Sequence, residues 1–375
     1  MKKILVVFGT RPEAIKMAPL VKELKKFPAE VSVKLCVTGQ HREMLDQVLK
    51  LFSIVPDYDL NVMSPGQSLS ELTSKIILKI SPIIQKYKPD IMLVHGDTTT
   101  TLSASLAAYY EKILLCHIEA GLRTDDKYAP WPEEVNRRLT GVIANLHFSP
   151  TREARNNLLS ENVNESSIFV VGNTVIDSLL NTQEIIDSSS SLQKDLAKEF
   201  NFIRDDANVL LVTGHRRENF GEGFKNICEA LKLLAETRED IQIIYPVHLN
   251  PHVLDPVKDV LGSLERVHLI EPLDYLSFVY LMTKSYIILT DSGGIQEEAP
   301  SLGKPVLVTR DKTERPEALA AGTIKLVGTS KAKIFNTVTD LLDDASFYRL
   351  MSTSINPYGD GSSSKKIVKE LLAYK

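Results

Sequence analysis

Along this 375-residue chain, short runs rich in Val, Ile and Leu alternate with longer stretches in which apolar residues recur every third or fourth position. Continuous apolar runs are strands buried on both faces, and the longer period is that of amphipathic helices. The pattern predicts strands at 4–8, 31–38, 91–95, 113–118, 146–149 and 168–171, with helices at 12–27, 68–87 and 99–110 between them. A polar stretch follows at 181–193, and a second series of strands opens at 209–213, continuing at 241–247, 267–270, 286–290, 306–308 and 324–327. Such alternation builds parallel sheets covered by helices on both faces. The fold class is therefore α/β, with two Rossmann-like doubly wound domains facing a cleft. The expected division is 1–172 and 173–359, with the boundary near Gly172 to Thr174 and a final helix, 360–375, returning to the first domain. The serine run Ser188 to Ser191 lies within a helical pattern and reads as an exposed helix face or frayed end.

Ligands of open α/β sheets bind beyond the carboxyl ends of the strands, so the segments just after each strand are where chemistry is expected. After the first strand comes GTRPEAIK, where Arg11 and Lys16 face the opening and Pro12 sits early in a helix. Cations there oppose the helix dipole, which an anion would offset. His95-Gly96-Asp97 and His117-Ile118-Glu119 follow two later strands. If the strands persist, each His shares a face with its acid. These groups fit either a metal pair, zinc or manganese, or acid–base carboxylates with histidines packed around them. The surrounding cations favour the second reading and an anionic substrate. Glu133, opening a helix after Pro132, is a third candidate acid, and the lone Trp131 reads as packed rather than stacked on a sugar.

In the second series the most informative stretch is YIILTDSGGIQEEAP, 286–300. It reads as a strand, a turn at Ser292, Gly293 and Gly294, and a helix from about Ile295. Glycines allow a ligand close to backbone amides, and the helix end favours a phosphate. Glu297 and Glu298 one turn later suit uncharged ribose hydroxyls, so the pair of signals points to a nucleotide. His215 and Arg216, after the 209–213 strand, and Arg315 would surround a diphosphate with donors.

Composition narrows the class. With 44 basic and 48 acidic residues the net charge is −4, which argues against a nucleic-acid partner. Three scattered cysteines indicate neither disulfides nor a thiolate metal site, and a reduced, cytoplasmic setting follows. The N-terminal MKKILVVFG reads as the first strand rather than a signal peptide, and no apolar run is long enough to enter a membrane. No GxGxxG or Walker motif follows any strand, so neither a dinucleotide nor an ATP site is expected, and no cofactor or metal is assigned.

The motifs FGTRPEAIKMAPL, VTGQHREMLDQ, VHGDTTTT, HIEAGLRT, PWPEEVNRR, VTGHRREN, TDSGGIQEEAP and KTERPEA, spread over the whole chain, closely resemble the bacterial non-hydrolysing UDP-N-acetylglucosamine 2-epimerases. The resemblance implies the GT-B glycosyltransferase fold, a homodimer, and interconversion of UDP-GlcNAc and UDP-ManNAc for surface polysaccharide synthesis. It implies that Arg11, Lys16, His215, Ser292, Gly293, Gly294, Glu298 and Arg315 bind the UDP-sugar, joined by Arg137 and Arg216, with Phe278 and the backbone of Leu273 beside the uracil. Asp97, Glu119, Glu133 and His215 resemble the catalytic set. Some Gram-positive members bind a second, activating UDP-GlcNAc near the equivalents of Gln40 to Glu43 and Gln67, where this chain has Gly66 in place of their arginine.

The C2 proton of UDP-GlcNAc is not next to a carbonyl, so departure of the diphosphate from C1 must drive its removal. The expected route is elimination of UDP to a 2-acetamidoglucal, then protonation of C2 from the other face and return of UDP. Asp97 and Glu133 are the expected proton-transfer pair, with Glu119 ordering the site. The rival activities are a hydrolysing epimerase and a GT-B UDP-sugar glycosyltransferase.

Overall fold

The computed structural model describes residues 1–39, 42–64 and 66–374. Of the positions expected near a second-substrate site, Gln40 and His41 therefore lie outside the described residues. The chain divides into two compact units, one formed by residues 1–178 with 358–375, the other by 179–357.

The first unit holds a seven-stranded sheet made of β1 (Lys2–Phe8), β2 (Val31–Val37), β3 (Tyr58–Asp59), β4 (Ile91–His95), β5 (Leu114–Ile118), β6 (Leu146–Ser149) and β7 (Ile168–Val170), in the order β3-β2-β1-β4-β5-β6-β7. Every pairing is parallel. The central strands are buried on both faces: Leu5 and Val7 meet Met92, Val94 and the apolar stripe Leu72, Ile76, Ile80 of the helix Leu69–Tyr87. The two-residue β3 was not expected, because Tyr58–Asp59 carries no alternating or apolar run of its own and is strand only through its pairing with Cys36 and Val37.

The second unit holds β8 (Asn208–Thr213), β9 (Ile241–Pro246), β10 (Val267–Ile270), β11 (Ile287–Thr290), β12 (Val306–Val308) and β13 (Ile324–Leu326), in the order β10-β9-β8-β11-β12-β13. Its core joins Leu210, Val212, Ile243 and Leu289 to Phe224, Leu231 and Leu234 of the helix Glu222–Thr237. Both sheets therefore reverse strand order once, between β1 and β4 and between β8 and β11, the points beyond which open α/β sheets bind their ligands.

The serine run is a junction rather than a helix face. One helix ends at Ser188, and Ser189 caps the next, Ser190–Glu199, by accepting a hydrogen bond from the Leu192 amide. The unit boundary falls at Ser178, inside the helix Thr174–Ser188. The helix Ser363–Ala373 packs on the helix Arg11–Leu24 of the first unit. Among the described residues no helix is long and apolar enough to cross a membrane.

Candidate functional site

Beyond β1 the chain turns at Gly9, where any side chain would overlap the hydroxyl of Thr38, and enters a helix through a capping box. Thr10 caps the Glu13 amide, and Glu13 returns by accepting from the amides of Gly9 at 3.0 Å and Thr10 at 2.8 Å. Its other oxygen accepts from the hydroxyls of Thr98 at 2.7 Å and Thr101 at 3.2 Å. One buried carboxylate thus ties the loop after β1 to the loop after β4; burial raises its pKa against these stabilising donors. Glu13 was given no role in the sequence reading, although Thr-x-x-Glu before an apolar stripe is a recognisable capping signal.

A cavity of about 440 Å³ opens at this switch point, lined among others by Arg11, Lys16, His95, Asp97, Thr98 and Glu119. Asp97 accepts a hydrogen bond from Arg137 on its side chain and from Asn136 Nδ2 on its carbonyl at 2.9 Å. Burial pushes the Asp97 carboxyl above its ordinary value; Arg137 pulls it down, while Glu119 and Glu133 push it up. Lys16 pairs with Glu119 Oε2, which also accepts from Asn173 Nδ2 at 2.8 Å. Glu133 opens the helix Glu133–Ile143 and is half-buried, whereas its neighbour Glu134 is fully buried and pairs with Arg137 and Arg138. Trp131 is exposed, not packed as expected.

The expected pairing of each His with its own acid does not occur. Gly96 has φ 66° and Glu119 has φ 63°, both left-handed, so the strands end before the acids and the period-two rule lapses. His117 turns its Nε2 to the Gly96 carbonyl at 2.7 Å, and His95 instead faces Glu119, Nε2 to Oε1 at 3.9 Å. Burial depresses both imidazoles, His95 to about 4 and His117 to about 3, so both are neutral at pH 7. Among the described residues no three His, Cys, Asp or Glu side chains converge to hold a metal ion.

In the second unit the switch point is organised by Asp291, which sequence reasoning missed because it ends a strand as one more acid. Fully buried, it accepts from the amides of His215 and Arg216, each at 2.8 Å, and its other oxygen lies 3.5 Å from His215 Nδ1. The His215 ring stacks on His248, and burial lowers its pKa despite the nearby carboxylate.

The helix expected from about Ile295 starts at Gly293 and gives way to a 3-10 turn after Glu298. Arg315 donates to Glu297 and lies over Gly293, where a Cβ would come within 3.4 Å of the guanidinium. Glu297 is thus the buried partner of the arginine. Glu298 accepts from the Tyr275 hydroxyl at 2.6 Å. Glu314 approaches Arg216 and Arg315 at 4.0 Å and 3.9 Å, so the expected diphosphate donors are brought together with their charges partly matched. Leu273 and Phe278 flank the start of the helix Tyr275–Lys284 and are half-buried; Gly294 lies in the first turn after Ser292.

A model of the UDP-N-acetylglucosamine 2-epimerase family matches residues 22–372. The chain belongs to that family. It is 61% identical to the UDP-N-acetylglucosamine 2-epimerase of Escherichia coli over 369 residues, 98% of each chain. The crystal structure of the UDP-GlcNAc 2-epimerase of Neisseria meningitidis bound to UDP-GlcNAc superposes with a TM-score of 0.91 at 56% identity, covering 99% of this chain and 100% of that one. The Methanocaldococcus jannaschii UDP-GlcNAc 2-epimerase, in complex with UDP-GlcNAc and UDP, gives 0.80 at 35% identity, with 99% of each chain covered. A Rickettsia africae glycosyltransferase, at 15% identity and a TM-score of 0.64 with 100% and 99% coverage, shares the fold alone. The family's chemistry is epimerisation, and its fold is GT-B-like.

Proposed function

We propose that the chain interconverts UDP-GlcNAc and UDP-ManNAc by elimination and re-addition of UDP, with the acids of the first unit working on the sugar and the 291–298 and 215–216 segments of the second holding UDP. The observation that carries this reading is the Asp97 carboxyl, buried beside a cavity, raised by desolvation and restrained by Arg137, which is how a carboxyl is set to give and take a proton.

In the forward direction a carboxylate takes the C2 proton, the C1–O bond breaks with its electron pair leaving on the diphosphate oxygen, and a C1=C2 double bond forms. A carboxylic acid on the other face then protonates C2, and the diphosphate oxygen attacks C1. Asp97 and Glu133 fill the two proton-transfer roles, Glu119 orders the sugar, and His215, Arg216 and Arg315 stabilise the departing diphosphate. The Glu133 charge pushes the Asp97 carboxyl up, which puts the two acids within electrostatic reach. The same reading carries a cytoplasmic supply of UDP-ManNAc for surface polysaccharide and a homodimer. The exposed apolar side chains Tyr109, Tyr110, Leu139 and Val142, on two mutually packed helices, are surface that a second copy would cover.

Purified protein given UDP-GlcNAc in deuterated water, with nothing added, is the test. UDP-ManNAc carrying deuterium at C2 is expected, with phosphorus NMR showing intact UDP-sugar. Turnover without label would reject the elimination, and free UDP accumulating in step with N-acetylmannosamine would make the enzyme a hydrolase.

A further inference from the structure

His95 is 3% exposed, and neither ring nitrogen has a hydrogen-bond partner among the described residues. No other buried imidazole among them leaves both nitrogens unpartnered; His117, for example, is anchored on the Gly96 carbonyl at 2.7 Å. Buried polar groups in native folds are almost always paired, and an orphan asks for a physical reason. This one lines the first unit's cavity beside Lys16, Asp97 and Glu119.

The 3.9 Å between His95 Nε2 and Glu119 Oε1 is too long for a hydrogen bond. An oxygen atom set to one side of that line, about 2.8 Å from each, would bridge them. Such an atom must accept from one neighbour and donate to the other. Burial and Lys16 keep the ring neutral, although Glu119 and the residue's own backbone oppose them, so the imidazole offers a single N–H, which when placed on Nε2 faces the Glu119 carboxylate. A hydroxyl meets both demands. An amide carbonyl, which only accepts, does not.

Resting on the proposed reaction, we infer that His95 touches the sugar: its Nε2–H donates to the hydroxyl at C3, and that hydroxyl donates to Oε1 of Glu119. The hydroxyl next to C2 is chosen because Asp97, which serves C2, and Glu119, which orders the sugar, line the same cavity. The chain His95, hydroxyl, Glu119 fixes the rotation of the ring so that the C2 hydrogen points at an acid. It selects sugar nucleotides that carry a free 3-hydroxyl.

The experiment is a cycle between enzyme and substrate. Wild type, His95→Phe, which keeps a flat ring without nitrogens, and His95→Gln are assayed with UDP-GlcNAc and with its 3-deoxy analogue. His95→Phe is expected to lose about 10- to 100-fold in kcat/KM on UDP-GlcNAc, and His95→Gln to recover part of it. The penalty for the analogue, large in wild type, is expected to collapse in His95→Phe, because both changes delete the same contact. Equal analogue penalties in the two enzymes would overturn the inference. Should His95→Phe fail to fold, nitrogen NMR of the wild-type His95 ring decides: saturating UDP-GlcNAc is expected to shift it, and an unmoved signal in protein that makes UDP-ManNAc overturns the contact. Wild type that makes no UDP-ManNAc fails the parent reaction instead, and the ring signal still reports on the contact.

Discussion

Asn173 Nδ2 donates to Oε2 of Glu119 over 2.8 Å, while the Asn173 amide donates to the Tyr358 carbonyl at 2.6 Å and its Oδ1 accepts from the Val175 amide at 3.0 Å. The asparagine is therefore fixed at both ends and holds one side of a carboxylate whose own backbone is left-handed. Asn173→Ala leaves that oxygen to Lys16 and loosens the orientation of the carboxylate. Because small misplacements at a reacting centre are expensive, kcat is expected to fall about 10- to 100-fold with little change in KM. Steady-state rates with UDP-GlcNAc check this, and a pure KM effect would contradict it.

Arg137 acts on Asp97 in the direction opposite to burial. Replacing it by Met removes the restraint, so the Asp97 carboxyl rises further and is ionised only at higher pH. The acid limb of the rate profile is expected to move up by about one pH unit or more, apart from any fall in the maximum rate. A limb that stays in place or moves to lower pH would remove Asp97 from the proton-transfer step.

Arg315→Ala carries two consequences that can be separated. UDP affinity falls, because a diphosphate donor is gone, and the nearly fully buried Glu297 loses its cation. Breaking one half of a buried pair costs about 3–5 kcal/mol, so the urea midpoint is expected to drop as well. Adding Glu297→Gln should restore much of the stability and none of the UDP affinity, as followed by denaturation and calorimetric titration.

Glu13 is expected to matter for folding more than for turnover per folded molecule. Glu13→Ala strands the amides of Gly9 and Thr10 and removes the main acceptor of the Thr98 hydroxyl, while the Thr101 hydroxyl keeps the His95 carbonyl, at a cost of about 2–4 kcal/mol. Glu13→Gln keeps an acceptor and is expected to cost less. Chemical denaturation of both variants tests the order.

The strands were legible because a parallel sheet buried on both faces imprints continuous apolar runs, and the filter of strand ends found Asp97, Glu119, His215 and Ser292 without any motif. Partners were not legible. His95 meets Glu119, not Asp97, because Gly96 and Glu119 are left-handed and end the two strands that periodicity assumes continuous. Asp291 and Asn173 look unremarkable in sequence, since what distinguishes them is which distant loop reaches them. Tyr275 was hidden for the same reason: its hydroxyl meets Glu298 across 23 positions, and nothing local marks it.

The first unit is assembled from two separated stretches of chain. Asp177 accepts from the amides of Ser363 at 3.2 Å and Ser364 at 2.7 Å, and the Lys2 ammonium closes on the carbonyls of Leu371 and Leu372. On the ribosome the half that is synthesised first is consequently the half that finishes last. A nascent chain stopped short of residue 358 would already contain every strand of both sheets, yet Asp177 would still be waiting for the two serines whose amides it accepts from.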